Sequence, residues 1–93
     1  MKKRLKLGIY DQMQKFADLT LRLVLTGKME RAKKCFAVAE RLFLTGTVQM
    51  RNAITVVYVY HLAAVLETHH YDVKSMLPQA LGKEYLRISS FGL

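Results

Sequence analysis

Apolar residues recur every three or four positions through the first half of the chain, beginning with Leu5, Ile9, Met13, Phe16, Leu19 or Thr20, and Leu23. That spacing places them on one stripe of a helix over Leu5–Leu25, with Lys6, Gln12, Lys15, Asp18 and Arg22 on the wet side. Gly8 weakens the first turn, so the regular helix is expected to begin after it. A second helix is predicted from Lys28 to Leu44. Met29, Ala32, Phe36, Ala39 and Phe43 form its apolar line, with Cys35 and Leu42 beside it. Both helices end in related words: Arg22-Leu23-Val24-Leu25-Thr26-Gly27 returns as Arg41-Leu42-Phe43-Leu44-Thr45-Gly46, 19 positions later. Arg faces the negative end of the dipole, and glycine is expected to adopt the left-handed cap conformation at both sites. A helix of ~15 residues plus a tight turn fills the interval.

A third helix is predicted to start at Thr47, a side chain suited to cap it. Its centre, Ile54-Thr55-Val56-Val57-Tyr58-Val59-Tyr60, has the β-branched and aromatic composition of a strand. The flanks Gln49–Ala53 and Leu62–Glu67 extend it without Gly or Pro to a length ordinary for a helix and long for a strand, so helix is the reading adopted. A helix apolar on nearly every side must be covered on nearly every side, which makes it the central element or a surface for self-association. Thr68–Asp72 reads as a connection. Leu77-Pro78 opens a last short helix with Leu77, Leu81, Tyr85 and Ile88 on one face and Lys83, Glu84 and Arg87 turned away; Ser89–Leu93 reads as a frayed tail. The expected fold is all-α, an antiparallel three- to four-helix bundle built from helical hairpins, with residues 1–93 forming one domain.

Composition sharpens this picture. A chain of 93 residues buries only a modest core, and 52% hydrophobic residues exceed what a lone small bundle needs. The surplus points to apolar surface covered by a second copy or a partner. The net charge of +8 is front-loaded: residues 1–34 carry ten basic and three acidic side chains, and the other 59 residues contribute only +1. Such a field attracts acidic proteins, nucleic acid or anionic surfaces without choosing among them. The basic opening Met1–Leu7 is followed by no uninterrupted apolar core, so no export signal is expected. The apolar run Ala53–Leu66 is too short for a membrane span. A single cysteine, Cys35, excludes an intrachain disulfide and reads as a buried, reduced thiol in a cytoplasmic protein.

Candidate chemistry is sparse. His61, His69, His70 and Asp72 are metal-ligand types, but His69 and His70 are sequential and point about 100° apart on a helix, and no HExxH or CxxC spacing supports them. Cys35 lies on the apolar side of its helix, where a thiol is inert. No glycine-rich phosphate loop, GxSxG elbow or paired carboxylates stand out, so neither catalysis, a metal nor a cofactor is expected. A helix, a Thr-Gly turn and a second helix permit a helix-turn-helix reading. In it Gln49, Arg51 and Asn52 face base edges while Lys28, Arg31, Lys33 and Lys34 hold the backbone. The apolar character after Asn52 counts against that reading. The leading expectation is a non-catalytic interaction module, binding a protein partner or itself through Met50, Val57, Tyr58, Tyr60 and His61.

The stretch Leu44-Thr45-Gly46-Thr47-Val48-Gln49-Met50-Arg51-Asn52-Ala53-Ile54, together with Leu77-Pro78-Gln79-Ala80-Leu81-Gly82-Lys83-Glu84-Tyr85, resembles the pattern of a family of small, uncharacterised bacterial helical proteins. There a Gly-terminated helix precedes a Val…Asn-Ala-Ile helix, and a Leu-Pro-x-x-Leu-x-x-Glu-Tyr segment closes the chain. The resemblance spans roughly residues 16–88. It implies an all-helical fold and a bacterial cytoplasmic origin, and lends no catalytic residues.

Overall fold

The two Thr-Gly words do end two helices, α1 (Ile9–Leu25) and α2 (Met29–Thr45), in a computed structural model that describes residues 8–89. Their threonines act alike: the Thr26 hydroxyl donates to the Arg22 carbonyl at 2.7 Å and the Thr45 hydroxyl to the Arg41 carbonyl at 2.8 Å. Their glycines do not. Gly27 is left-handed (φ 80°), and the amides of Gly27 and Lys28 donate to the carbonyls of Val24 and Leu23 in a Schellman closure. Gly46 is extended (φ −85°, ψ 175°), because the next helix starts at once and Thr47 must already be extended to cap it. A left-handed cap is therefore wrong for Gly46. Its missing side chain serves close approach instead: a Cβ there would lie 2.5 Å from the Leu42 carbonyl oxygen and 2.8 Å from Met50 Cγ. Gly46→Ala is expected to cost about 1–2 kcal/mol by this overpacking, read as a lower urea midpoint with an unchanged m-value.

Thr47 accepts the Met50 amide at 3.1 Å and opens one continuous helical rod made of α3 (Val48–Ala53), a π-helical segment (Ile54–Val59) and α4 (Tyr60–Thr68). The strand-like composition of 54–60 thus lies in a helix, and its β-branched crowding coincides with the looser i→i+5 winding. The winding has a packing consequence. Ile54, Tyr58, Leu62 and Leu66, and beside them Thr55, Val59 and Ala63, are buried at every fourth residue. In a pure α-helix three such steps would drift about 120° around the axis. The π turn absorbs part of that drift, so one face stays in the core. The rod ends in a second Schellman closure, with the Tyr71 amide on the Leu66 carbonyl and His70 taking the left-handed position (φ 66°).

A four-residue helix not anticipated from the pattern, α5 (Val73–Met76), then leads through Leu77 and Pro78 into α6 (Gln79–Ser89). The rod packs against α1, α2 and α6, so it is the central element. In α1 Met13 and Thr20 of the expected stripe are buried, but the rest of the buried line is Ala17, Leu21 and Val24; Leu19 is exposed and Phe16 and Leu23 are half-buried. In α2, Ala32, Phe36 and Ala39 are buried as expected, while Cys35 is only half-buried. The expected Leu5 start, the Lys2–Lys6 cluster and the tail beyond Ser89 lie outside the described residues. Among the described residues no strand occurs, and no helix is long and apolar enough to cross a membrane.

Candidate functional site

Pro78 stands at the cap position of α6 and has neither an N–H nor a polar side chain to offer the helix start. The acceptor comes from α2 instead: Glu40 receives the amides of Ala80 (3.1 Å) and Leu81 (2.9 Å) on its two carboxylate oxygens. These are the second and third amides of α6, the groups an N-cap side chain ordinarily satisfies. The bond ties the α5–α6 junction to α2 along one side and leaves a groove of about 460 Å3 between them. Phe36, Ala37 and Leu44 of α2 form one wall and Met76, Leu77 and Pro78 the other. Phe36 and Leu77 are buried, whereas Leu44 is 63% exposed at the groove's end. Lys33 and Arg41 stand on the rim eight residues, or ~12 Å, apart along α2. Glu40 also lines the groove, its carboxylate turned to the α6 backbone, so the groove presents apolar walls with the Lys33 and Arg41 cations at its edge.

The five residues read as a contact surface do not assemble into one. Tyr58 is a correction: it is fully buried, its hydroxyl bonded to Thr20 Oγ1 at 2.9 Å and its ring stacked on Phe16 at 5.0 Å. An apolar helix buried from several sides hides this position, which the sequence cannot assign to inside or outside. Met50 is half-buried over Gly46, and Val57 is half-buried against the core. The His61 ring donates through Nε2 to Asp18 Oδ1 at 3.0 Å, bracing α4 on α1. Only Tyr60, 47% exposed and near Val56, offers open apolar surface there.

The nucleic-acid set is divided along α2. Lys28, Arg31, Lys33 and Lys34 sit on its exposed first turns, whereas Gln49, Arg51 and Asn52 are exposed in α3, past its far end. From Lys34 to the end of α2 is about 16 Å of helix. Arg51 lies with its guanidinium 5.3 Å from the centroid of the Phe43 ring, beside Asn52 in a second, polar pocket. There Thr55 Oγ1 and Arg87 Nη2 both donate to Glu84 Oε1, at 3.0 and 2.6 Å. Glu84 is therefore not turned away as its spacing suggests. The Arg87 hydrogen bond holds its carboxyl below the usual range, against the opposing effect of burial. Tyr85 donates to Glu67, which raises its phenol. His69 binds the Val65 carbonyl of its own helix, and no group of three or more His, Cys, Asp or Glu side chains among the described residues is placed to hold a metal ion.

A family model described as Domain of unknown function (DUF7674) matches residues 2–91. The chain belongs to this family. The match takes in both the α2 groove and the polar pocket, and it accords with the resemblance carried by the Leu44–Ile54 and Leu77–Tyr85 stretches. No curated protein and no solved structure matches the chain. Sequence reasoning missed the groove because its walls come from helices some 40 positions apart. The Leu-Pro pair at 77–78 was its one visible trace.

Proposed function

We propose that this DUF7674 protein is a non-catalytic interaction module whose helices form an antiparallel bundle, and that the α2 groove receives an amphipathic helical segment of a protein partner. The observation that carries the reading is the groove itself: about 460 Å3 between apolar walls, one of them including buried Phe36, flanked by Lys33 and Arg41. Helix-in-groove recognition uses this chemistry, with anchors at helical spacing and charges at the edge for register. A fitting segment carries two or three apolar anchors between acidic residues about two turns apart, matching the ~12 Å between the rim cations. The polar groups between the helices support a non-catalytic role, since buried Thr20, Tyr58 and Thr55 and half-buried Glu40 are engaged in bonds that hold helices together.

Selection from a displayed library of random helical peptides tests this. Enriched peptides are expected to carry acidic residues flanking apolar anchors, and their affinity, read by fluorescence anisotropy, should fall at least about tenfold in Leu44→Asp and again in the Lys33→Glu, Arg41→Glu pair. Basic or featureless winners, or affinities indifferent to all three substitutions, would remove the proposal. Comparable affinity for an oligonucleotide, steeply weakened by salt, would move the function to nucleic acid through the Lys28–Lys34 turns.

A further inference from the structure

The polar pocket beside the π segment is a second candidate site. It has a volume of about 280 Å3, just below the usual span for small-molecule sites, and shares no lining residue with the α2 groove. α2 contributes Phe43, α3 Arg51 and Asn52, the π segment Thr55, and α6 Glu84 and Arg87. Thr55 is 6% exposed, and its hydroxyl fixes the Glu84 carboxylate, which in turn anchors Arg87 at the pocket. Arg51 is held differently. It lies over the Phe43 ring and donates no hydrogen bond among the described residues; its charge acts on the Glu84 carboxyl through space, and its N–H groups remain open to a ligand. Two guanidinium groups and one carboxylate leave the pocket with one net positive charge.

We propose that this pocket binds a small organic monocarboxylate, its carboxylate on the Arg51 edge and Asn52 amide and its body against Phe43. The fork of a guanidinium matches the two oxygens of a carboxylate. A single negative charge balances the site, whereas a phosphate near two negative charges would overload it beside Glu84. A ligand of a few heavy atoms fits the volume. The π segment supplies the one buried wall hydroxyl, and π turns are frequent at functional sites.

NMR titration of the full chain with acetate and benzoate tests this, with benzamide and inorganic phosphate as comparators at constant ionic strength. Saturable shifts of the Arg51 and Arg87 side-chain N–H groups and the Asn52 amide are expected with at least one carboxylate, none with benzamide, and weaker binding of phosphate. Arg51→Gln should weaken carboxylate binding at least about tenfold, and Arg51→Lys, which keeps charge but not the fork, by a similar factor. Asn52→Asp, on an exposed position, should also abolish binding and guards against misfolding of the arginine variants. Shifts that never saturate with either carboxylate, tighter binding of phosphate, or unaltered affinity in folded Arg51→Gln would each overturn the assignment.

Discussion

Replacing Tyr58 by alanine is expected to destabilise the fold by about 3–5 kcal/mol, enough to leave a small domain largely unfolded or nearly so. Tyr58 is the largest of the fully buried side chains and lies on the central rod, where its ring stacks on Phe16 with planes 28° apart. Its hydroxyl belongs to a relay: Tyr58 donates to Thr20 Oγ1, and Thr20 donates to the Phe16 carbonyl at 2.9 Å. Alanine leaves Thr20 with its donor still satisfied, so most of the loss comes from the cavity between α1 and the π segment. Tyr58→Phe removes the hydroxyl alone and should cost only about 1 kcal/mol. Urea denaturation of the two variants separates these contributions. Equal losses would mean that the ring is not a packing element.

Alkaline pH gives an independent reading of the same residue. Burial, the largest effect on it, pushes the Tyr58 phenol well above its ordinary value of 10.0. The folded state then keeps a proton that the unfolded state releases. Stability from this group is fully present below pH 10 and is lost as pH climbs above it, at up to about 1.4 kcal/mol per pH unit. Tyr85 slopes the same way but weakly, its shift arising mainly from Glu67 at an exposed site. Tyr58→Phe should therefore flatten the decline above pH 10, and an unchanged decline in the variant would contradict a buried neutral phenol.

What the sequence revealed was local. Thr47 caps its helix, Gly27 takes the left-handed turn, and Ala32, Phe36 and Ala39 point inward, each determined by neighbours within a turn or two. The phase of α1 was harder to read, because Ala17 and Thr20 carry the core while bulkier Leu19 and Leu25 are 44% and 41% exposed. Hydrophobicity alone ranks those residues the wrong way round. The position of Tyr58 was illegible for a different reason: where Val, Ile and Tyr surround a helix, periodicity loses its contrast, and a π turn shifts the register besides. Both candidate sites depend on pairings across long separations. Glu84 meets Thr55 from 29 positions away, and Glu40 meets α6 from 40 and 41.

That last pairing carries the second large effect. Glu40→Ala is expected to cost about 2–3 kcal/mol, since it strips two charge-assisted bonds from amides that Pro78 cannot satisfy and removes a carboxylate from the positive end of the α6 dipole. Partial exposure of Glu40 keeps the figure below that of a buried ion. The damage should be uneven. Hydrogen exchange at Ala80 and Leu81 should accelerate most, then spread through α6 as Leu81, fully buried, loses its seat, while amides in the middle of α1 follow only the global loss. Glu40→Gln keeps one acceptor oxygen and should lose roughly half as much. The decisive comparison adds Pro78→Asp to Glu40→Ala: a carboxylate at the local cap position can reach the same two amides, so protection of α6 should return in part although Glu40 is absent. If Glu40→Ala leaves exchange at Ala80 and Leu81 unchanged, or the added Asp restores nothing, the start of α6 is not held from α2, and the groove loses the contact that fixes its width.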